Sequence, residues 1–419
     1  MTTDGKANQK DCPTRTKYQE DGRMMEQDTS FTGRVSRRRL ADDLWELVNV
    51  PSPTCREREA ALRFAAMLCT CGAEVEIDET IPESPNVIGR LRGTCPGRTL
   101  QLAGHVDHID VPHPPPKRDD DVISGRGAAD MKNGLAGILE IVRLFRDQAD
   151  FPGELLVTVY GRHEAPLGDS RGLSVLLDRG VKGGAAIVFE GPDDAVVVMA
   201  LGMSIWNLML RRNGDVCHEM TGPDKGWSLI RATRDVLALL ETKNASLAST
   251  AANYPLLPPE SVFVGQVRYG DFYNRVPDTA MLQGTRRWHP GRTYEQIRAE
   301  FAGWLSEINV PPGITIANEW IRVGESYEIA PAEPIVQSML RAWRDVAGLD
   351  LNVTGHSSVN DTCRLVMQGN VPAVLCGFDT QTGHADLEFA RLDRMERACR
   401  VAVAAAMDYL GQPAKEPNP

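Results

Sequence analysis

The period of hydrophobic and polar positions changes several times along the chain, and these changes predict its elements. Leu40, Leu44 and Leu47 recur at a helical spacing until the letters "PSP" end the pattern. Short apolar runs such as "TLQLAGH", "ELLVTVYG" and "GAAIVFE" then alternate with amphipathic helical segments. Because such strands are apolar on both faces, they are typical of a mainly parallel sheet covered by helices. The pattern predicts an α/β domain.

A second pattern begins near Ala200. "SIWNLMLRRNG" alternates like a half-buried strand, and the order through "GITIANEWIRV" is strand, helix, strand, strand, helix, strand. That order predicts a small ferredoxin-like α+β domain inserted into the α/β domain. The predicted parts are a flexible tail at 1–35, a catalytic domain at 36–198 and 326–411, an inserted domain at 199–325, and a tail at 412–419.

Composition narrows the classes of protein. The 419 residues carry a formal net charge of −11, which argues against nucleic acid and anionic membranes as partners. No apolar run is long enough for a membrane span, and the polar N-terminus has no signal-peptide core. The nine cysteines are scattered and read as reduced thiols. We therefore expect a cytoplasmic protein.

Polar residues collect where the predicted strands end. Carboxyl ends of parallel strands share one edge of a sheet, so residues far apart in sequence can converge there. Histidine and carboxylate donors without cysteine suit Zn²⁺, Mn²⁺ or Co²⁺. Asp107 stands two residues after His105, a natural position for holding the imidazole's other N–H. The strand-end residues are His105, Asp107, Asp130, His163, Glu164, Glu190, His384 and Glu388.

These blocks resemble those of the co-catalytic metallohydrolases that include aminoacylase, acetylornithine deacetylase, succinyl-diaminopimelate desuccinylase and glutamate carboxypeptidase. The resemblance covers roughly residues 38–411. It implies a phosphorylase/hydrolase-like catalytic domain with a lid through which the family dimerises. It also implies one or two divalent transition-metal ions per subunit (Mn, Zn or Co) and a small carboxylate substrate.

Four blocks carry the implied ligands. "GHVDHIDV" is similar to the block in which His105 would be a metal ligand and Asp107 its orienting carboxylate. "GRGAADMKNGLAG" is similar to the block whose aspartate, here Asp130, bridges two metals. "VFEGP" and "GHADLEFA" resemble the blocks that would supply Glu190 and His384 as further ligands.

The inserted domain resembles the family lid. "NGDVCHEMTGPDKGWSLI" is similar to the segment whose histidine, here His218, polarises the scissile carbonyl from the partner subunit. "FYNRVPDTAMLQGTRRWHPG" is similar to the segment that binds the substrate carboxylate, which implies Asn274 and Arg287. A homodimer through the lid, or a larger assembly, is therefore expected.

One block departs from the family. Where the family has two adjacent glutamates, a general base and then a metal ligand, this chain has His163-Glu164-Ala165. In one register Glu164 is the ligand and His163 stands in the place of the base. In the other, Glu164 is the base and Ala165 replaces the ligand. We prefer the first register, because a histidine is a competent base near neutral pH.

The departure affects the expected reaction. In the family, a metal-activated water attacks a carbon that bears nitrogen, and an amine leaves. One member with this scaffold displaces the amino group of a nitroanthranilate, and an unusual base makes aryl deamination with ammonia release our expectation here. The alternatives are an N-acyl amino acid deacylase or dipeptidase, and a non-catalytic metal-binding protein.

Overall fold

The computed structural model describes residues 31–148 and 150–413. Most of the two predicted tails, residues 1–30 and 414–419, therefore lies outside the described residues. The α-helices of the described part are α1 (Arg37–Val48), α2 (Arg58–Thr70), α3 (Asn133–Gln148), α4 (Arg171–Asp178), α5 (Trp227–Leu247), α6 (Tyr294–Ser306), α7 (Pro334–Ala347), α8 (Asp361–Met367) and α9 (Leu392–Gly411).

The strands alternate with these helices in the first part of the chain and cluster in its middle. They are β1 (Glu74–Asp78), β2 (Asn86–Arg92), β3 (Cys95–His105), β4 (Lys117–Arg118), β5 (Val122–Ser124), β6 (Pro152–Tyr160), β7 (Ala185–Val188), β8 (Val196–Ala200), β9 (Gly202–Arg212), β10 (Cys217–His218), β11 (Ser261–Tyr269), β12 (Arg275–Val276), β13 (Thr279–Trp288), β14 (Ile314–Gly324), β15 (Tyr327–Glu328), β16 (Val353–His356), β17 (Ala373–Leu375) and β18 (Phe389–Arg391).

The chain divides into two compact units. Among the described residues, unit 1 consists of 31–148, 150–196, 330–353 and 368–413, and unit 2 of Val197–Ile329 and Thr354–Met367. The sequence predicts 354–367 to be part of the catalytic domain, whereas the structure groups this segment with unit 2. The reason is that β16 joins a three-stranded sheet with β8 and β15 and leads the chain into that unit.

Unit 1 is built on a six-stranded sheet in the order β1-β2-β6-β3-β7-β17. The pairs β6–β3, β3–β7 and β7–β17 are parallel, and β1 and β2 form an antiparallel edge. The end of β3 from Leu100 to His105 is wholly buried, as its apolar sequence predicts, and helix α9 packs against this strand. This confirms the predicted α/β class and places the ends of β3, β6 and β7 at one edge.

Unit 2 contains a four-stranded antiparallel sheet in the order β11-β13-β9-β14. Alternate residues of β9 and β13 are buried, because one face of the sheet packs against α5 and α6. A capping box between Thr293 and Gln296 starts α6. The predicted β-α-β-β-α-β order is confirmed.

The structure bears on two expectations drawn from the composition, the lack of a membrane span and the reduced state of the cysteines. None of the helices in the described part of the chain combines the length and apolarity that a membrane crossing requires. Cys95, by contrast, is disulfide-bonded, so the expectation of reduced thiols is wrong at this residue. Cysteine spacing alone could not show this, because a disulfide depends on the approach of two chain segments in space.

Candidate metal centre

His105 is the last residue of β3 and is completely buried. Its Nδ1 lies 3.0 Å from the main-chain oxygen of Asp107 and 3.6 Å from the nearer carboxylate oxygen of that residue. The N–H therefore donates mainly to the carbonyl, and the carboxylate of Asp107 faces the same edge of the ring. This hydrogen bond leaves the lone pair of Nε2 facing the carboxylates of the site.

The Asp107 carboxylate also binds the backbone of the residues that follow β6. Its Oδ2 accepts hydrogen bonds from Thr54 Oγ1 at 2.8 Å, from the His163 N–H at 3.0 Å and from the Glu164 N–H at 2.9 Å. Burial by itself raises the pKa of Asp107, but the hydrogen bond and charge of His105, with the Glu164 N–H, hold that pKa well below its usual range. Asp107 is thus an ionised anchor for the His163-Glu164 backbone.

Asp130 lies in the tight turn Ala128–Lys132 between β5 and α3. Gly127 precedes the turn with φ of +82°, a conformation that favours glycine. Asp130 Oδ1 is 3.2 Å from His105 Nε2, and Oδ2 is 3.5 Å from His384 Nε2. The two oxygens of one carboxylate therefore face two different histidines.

Glu164 and Glu190 complete the two sides of Asp130. Glu164 Oε2 lies 3.0 Å from His384 Nε2, on one side. Glu190 Oε2 lies 3.5 Å from His105 Nε2, on the other side. The structure thus brings together all five predicted ligands.

His163 has a distinct position. Its ring stacks on that of His105, with centroids 4.1 Å apart and an angle of 6° between the planes. One of its nitrogens lies within 4.8 Å of a His105 nitrogen and of a Glu190 carboxylate oxygen, so the three could be taken for a ligand group. However, an imidazole binds a metal close to its own ring plane, along the nitrogen lone pair, and two parallel stacked rings share no such plane. The stacking therefore argues against His105 and His163 binding the same ion.

The sequence model of peptidase family M20/M25/M40 matches residues 102–408. The chain belongs to this family. A deformylase of N-formyl-4-amino-5-aminomethyl-2-methylpyrimidine from Bacillus subtilis is 25% identical over 284 residues, covering 62% of this chain. The matched region spans just under two thirds, 65%, of that enzyme. The resemblance drawn from the motifs is thereby confirmed.

Solved structures show the same fold. The aminopeptidase PepT of Bacillus cereus matches with a TM-score of 0.74 and 20% identity, covering 90% of this chain and 100% of that one. A dinuclear metal-binding M20 peptidase from Bacillus subtilis matches with a TM-score of 0.66 and 15% identity, covering 89% of this chain and 98% of the other. Both agree with the α/β unit and the smaller α+β unit seen here.

In this M20 member the donor set fits a divalent transition metal. Ligands held roughly 2.0–2.2 Å from one ion lie about 2.8–3.6 Å from one another. The four contacts among His105, Asp130, Glu164, Glu190 and His384 measure 3.0 to 3.5 Å. Two imidazoles and three carboxylates are also the donor types that Mn²⁺, Zn²⁺ and Co²⁺ accept.

The electrostatics favour a cation at the same place. Burial lowers the pKa of His105, but hydrogen bonds with Asp107, Asp130 and Glu190 raise it well above its ordinary value. The hydrogen bond with Glu164 likewise raises the pKa of His384. The carboxylates thus favour positive charge at the two histidines, and a bound divalent metal would supply that charge.

The remaining predicted residues lie in unit 2. His218, in β10, accepts the Met220 N–H at Nδ1 over 3.2 Å, and its Nε2 is 3.3 Å from the Asn274 side-chain amide. Arg287 donates to the Ser357 carbonyl at 2.8 Å. Burial lowers the pKa of Arg287, and no carboxylate among residues 31–148 and 150–413 forms an ion pair with it.

Sequence reasoning missed several supporting residues. Thr54 donates to Asp107, and the buried Glu57 accepts the Arg162 N–H at 3.0 Å. Neither follows a strand, so the pattern that predicts the ligands does not mark them. Glu388 stood out as a strand-end carboxylate, but its contacts could not be read from the sequence.

Proposed function

We propose that this protein is a metal-dependent hydrolase that breaks a C–N bond in a small carboxylate substrate. The observation that carries the proposal is the placement of Asp130 between two donor pairs, His105 with Glu190 and His384 with Glu164. A divalent metal bound there polarises the electrophilic carbon and lowers the pKa of a water toward about 7. Membership of a hydrolase family supports the same reaction class.

Within this proposal His163 is the general base and Glu164 is a ligand. Glu164 contacts His384 and lies within ligand distance of Asp130 and His105. His163 lies beside the cluster, and its stacked ring is unsuited to sharing an ion with His105. It takes the proton of the attacking water and passes a proton to the departing nitrogen.

Arg287 and Asn274 are proposed to bind the substrate carboxylate. A half-buried guanidinium without a carboxylate partner in the described residues is suited to an anionic ligand. The charge of the substrate would supply the missing partner.

We further propose a homodimer in which His218 acts on the partner's site. Met220 is 71% exposed and Tyr273 is 88% exposed, and both lie beside the His218–Asn274 pair. Exposed apolar residues next to a functional histidine are typical of an interface.

Mixing two inactive variants, His218→Ala and His163→Ala, should restore activity, because a mixed dimer contains one complete site. No recovery after subunit exchange would contradict action across the interface.

The preferred substrate class is an aminoaromatic acid of the nitroanthranilate type. A water oxygen forms a bond to the ring carbon, the C–N bond breaks, and the nitrogen leaves as ammonia after taking up the proton held by His163. The support is the imidazole at the place of the carboxylate base, which is the one changed block in an otherwise complete ligand set.

A second candidate is deacylation of an N-acyl compound. The specific observation in its favour is the 25% identity with a deformylase, an enzyme that removes an N-formyl group. The same ligands would serve, and the product would be a carboxylate and a free amine.

A product screen distinguishes these candidates. The purified protein with added Mn²⁺ would be incubated with aminoaromatic acids, N-acyl amino acids and dipeptides, and ammonia, carboxylate and free amino acid would be assayed. Ammonia from an aminoaromatic acid supports deamination, and a free amino acid or formate supports deacylation. Metal binding without turnover on any of them would favour the non-catalytic alternative.

A further inference from the structure

A buried ion pair joins the two segments that carry Asp130 and His384. Arg126 Nη1 donates to Glu388 Oε2 at 3.1 Å, and both side chains are almost fully buried. Arg126 lies four residues before Asp130, and Glu388 lies four residues after His384. The pair therefore connects the turn of one proposed ligand with the loop of another.

The Glu388 carboxylate also holds the backbone of the Asp130 turn. Oε1 accepts the N–H groups of Ala129 and Asp130, each at 3.0 Å. Oε2 accepts the N–H of Gly127 at 3.0 Å, in addition to Arg126. Each carboxylate oxygen thus binds two donors, and one of these is the main chain of Asp130 itself.

Arg126 extends the connection to the second loop. Its Nη1 donates to the carbonyl of Ala385, the neighbour of His384, at 3.0 Å. Its Nη2 donates to the carbonyl of Pro112 at 3.2 Å. The guanidinium therefore fixes the chain next to His384 as well as the loop that follows β3.

His113 fixes Glu388 from a third side. The Glu388 N–H donates to His113 Nε2 at 2.8 Å, and His113 Nδ1 is 2.7 Å from the Pro114 carbonyl. With Nδ1 donating and Nε2 accepting, the ring uses both of its nitrogens. The clamp formed by Arg126, Glu388 and His113 thus joins three segments distant in sequence.

We infer that Glu388 is a positioning residue, which sets the orientation of Asp130 directly and that of His384 through Arg126. The inference rests on the proposed metal centre. It predicts that the clamp determines metal affinity, because groups that orient ligands typically change affinity 10- to 100-fold when replaced.

Glu388→Gln tests this with little change of shape. Whichever way the new amide is oriented, its NH₂ group points at two N–H donors, so part of the turn loses its acceptor. Glu140→Gln is a matched control: Glu140 is a buried carboxylate of the same unit, bound by Arg39 and by the Ser36 N–H, and it contacts no site residue.

The readouts are Co²⁺ affinity, the visible absorption of the Co²⁺ protein, and the melting temperature without metal. We expect Glu388→Gln to weaken Co²⁺ binding 10- to 100-fold and to change the absorption bands. The control, Glu140→Gln, should have a lower melting temperature than the wild type and keep the wild-type Co²⁺ affinity and spectrum. Equal affinity and spectra for wild type and Glu388→Gln would overturn the inference alone, whereas a wild-type protein that binds no Co²⁺ would overturn the metal centre itself.

A second variant keeps the test open if Glu388→Gln does not fold. Arg126→Met removes the contacts to Ala385 and Pro112 and leaves the three main-chain donors on Glu388 in place. It should also weaken Co²⁺ binding and alter the spectrum. Wild-type binding by this variant would overturn the role of the clamp in placing His384.

Discussion

The proposed ligands of unit 1 and the proposed substrate-binding residues of unit 2 differ in how firmly the protein holds them. Asp107 is fully buried and has three hydrogen-bond donors on one oxygen, and His105 is enclosed by carboxylates. Among the described residues the Arg287 side chain has one hydrogen bond, to a carbonyl, and His218 lies beside exposed apolar side chains. The first group is organised before anything binds, whereas the second is proposed to be completed by substrate or partner.

Metal removal should reduce activity more than any other change, and it acts only on the proposed ligands in unit 1. Hydrolysis should be abolished by EDTA and restored by Mn²⁺, Co²⁺ or Zn²⁺, because the polarised electrophile and activated water depend on the ion. The assay is product formation before and after dialysis. Activity that survives complete removal, checked by elemental analysis, would contradict the proposed reaction.

Replacing His163, the proposed base, should cause the next largest loss of activity. His163→Ala should lower kcat about 10²- to 10⁴-fold, because general-base catalysis contributes about that much. Bound metal should stay unchanged, since the backbone N–H of residue 163 still binds Asp107. Loss of metal with a normal residual rate would instead identify His163 as a ligand and reverse the preferred register.

Acid should destabilise the protein through a buried group of unit 1. His108 accepts the Ser52 N–H at Nε2 and bonds the Ile109 carbonyl through Nδ1, and burial together with the Lys132 charge lowers its pKa to about 4. Between pH 6.5 and pH 4 the unfolded chain binds a proton that the folded protein does not, so stability falls as the pH falls. The loss is roughly 3 kcal/mol across that window.

Urea unfolding of metal-free protein at several pH values measures this loss. His108→Gln should be less stable at pH 7 and should show a shallower decline toward pH 4, because residue 108 no longer titrates. An unchanged pH slope in the variant would show that other groups cause the acid sensitivity.

Arg287→Met should have the smallest of the four effects. The variant should raise KM about 10-fold, because a hydrogen bond to a charged group contributes about 1.5–3 kcal/mol. It should leave kcat near the wild-type value, because the proposed contact binds the substrate carboxylate and not the reacting atoms. The same variant should not change the KM of an analogue without a carboxylate. A large fall in kcat would mean that Arg287 is part of the preorganised group after all.

The sequence predicted the elements, and also the proposed ligands that the structure brings together, because both leave local signals. Apolar runs identify buried strands, and polar residues at their ends identify the edge where His105, Glu164 and Glu190 meet. The contacts that support them leave no such signal. The Asp107 carboxylate binds the backbone N–H groups of residues 163 and 164 as well as facing the His105 ring, and this depends on how β3 and β6 lie side by side.

Long-range contacts also explain the other differences. Residues 354–367 group with unit 2 because β16 pairs with a strand about 150 positions earlier, which neither the period nor the composition of the segment reveals. The partners of Glu388 lie more than 250 positions away. Such pairings are set by the tertiary fold, so sequence patterns predict which residues bear chemistry better than what holds them.

The attachment of the loop at His163 has an evolutionary consequence. The Asp107 carboxylate accepts a hydrogen bond from the main-chain N–H of residue 163, and every residue except proline has this N–H. The side chain proposed to transfer the proton can therefore be exchanged without loosening the loop or disturbing the proposed ligand that follows. A scaffold of this kind separates the choice of base from the integrity of the metal centre, which allows one architecture to acquire new chemistry by a single substitution.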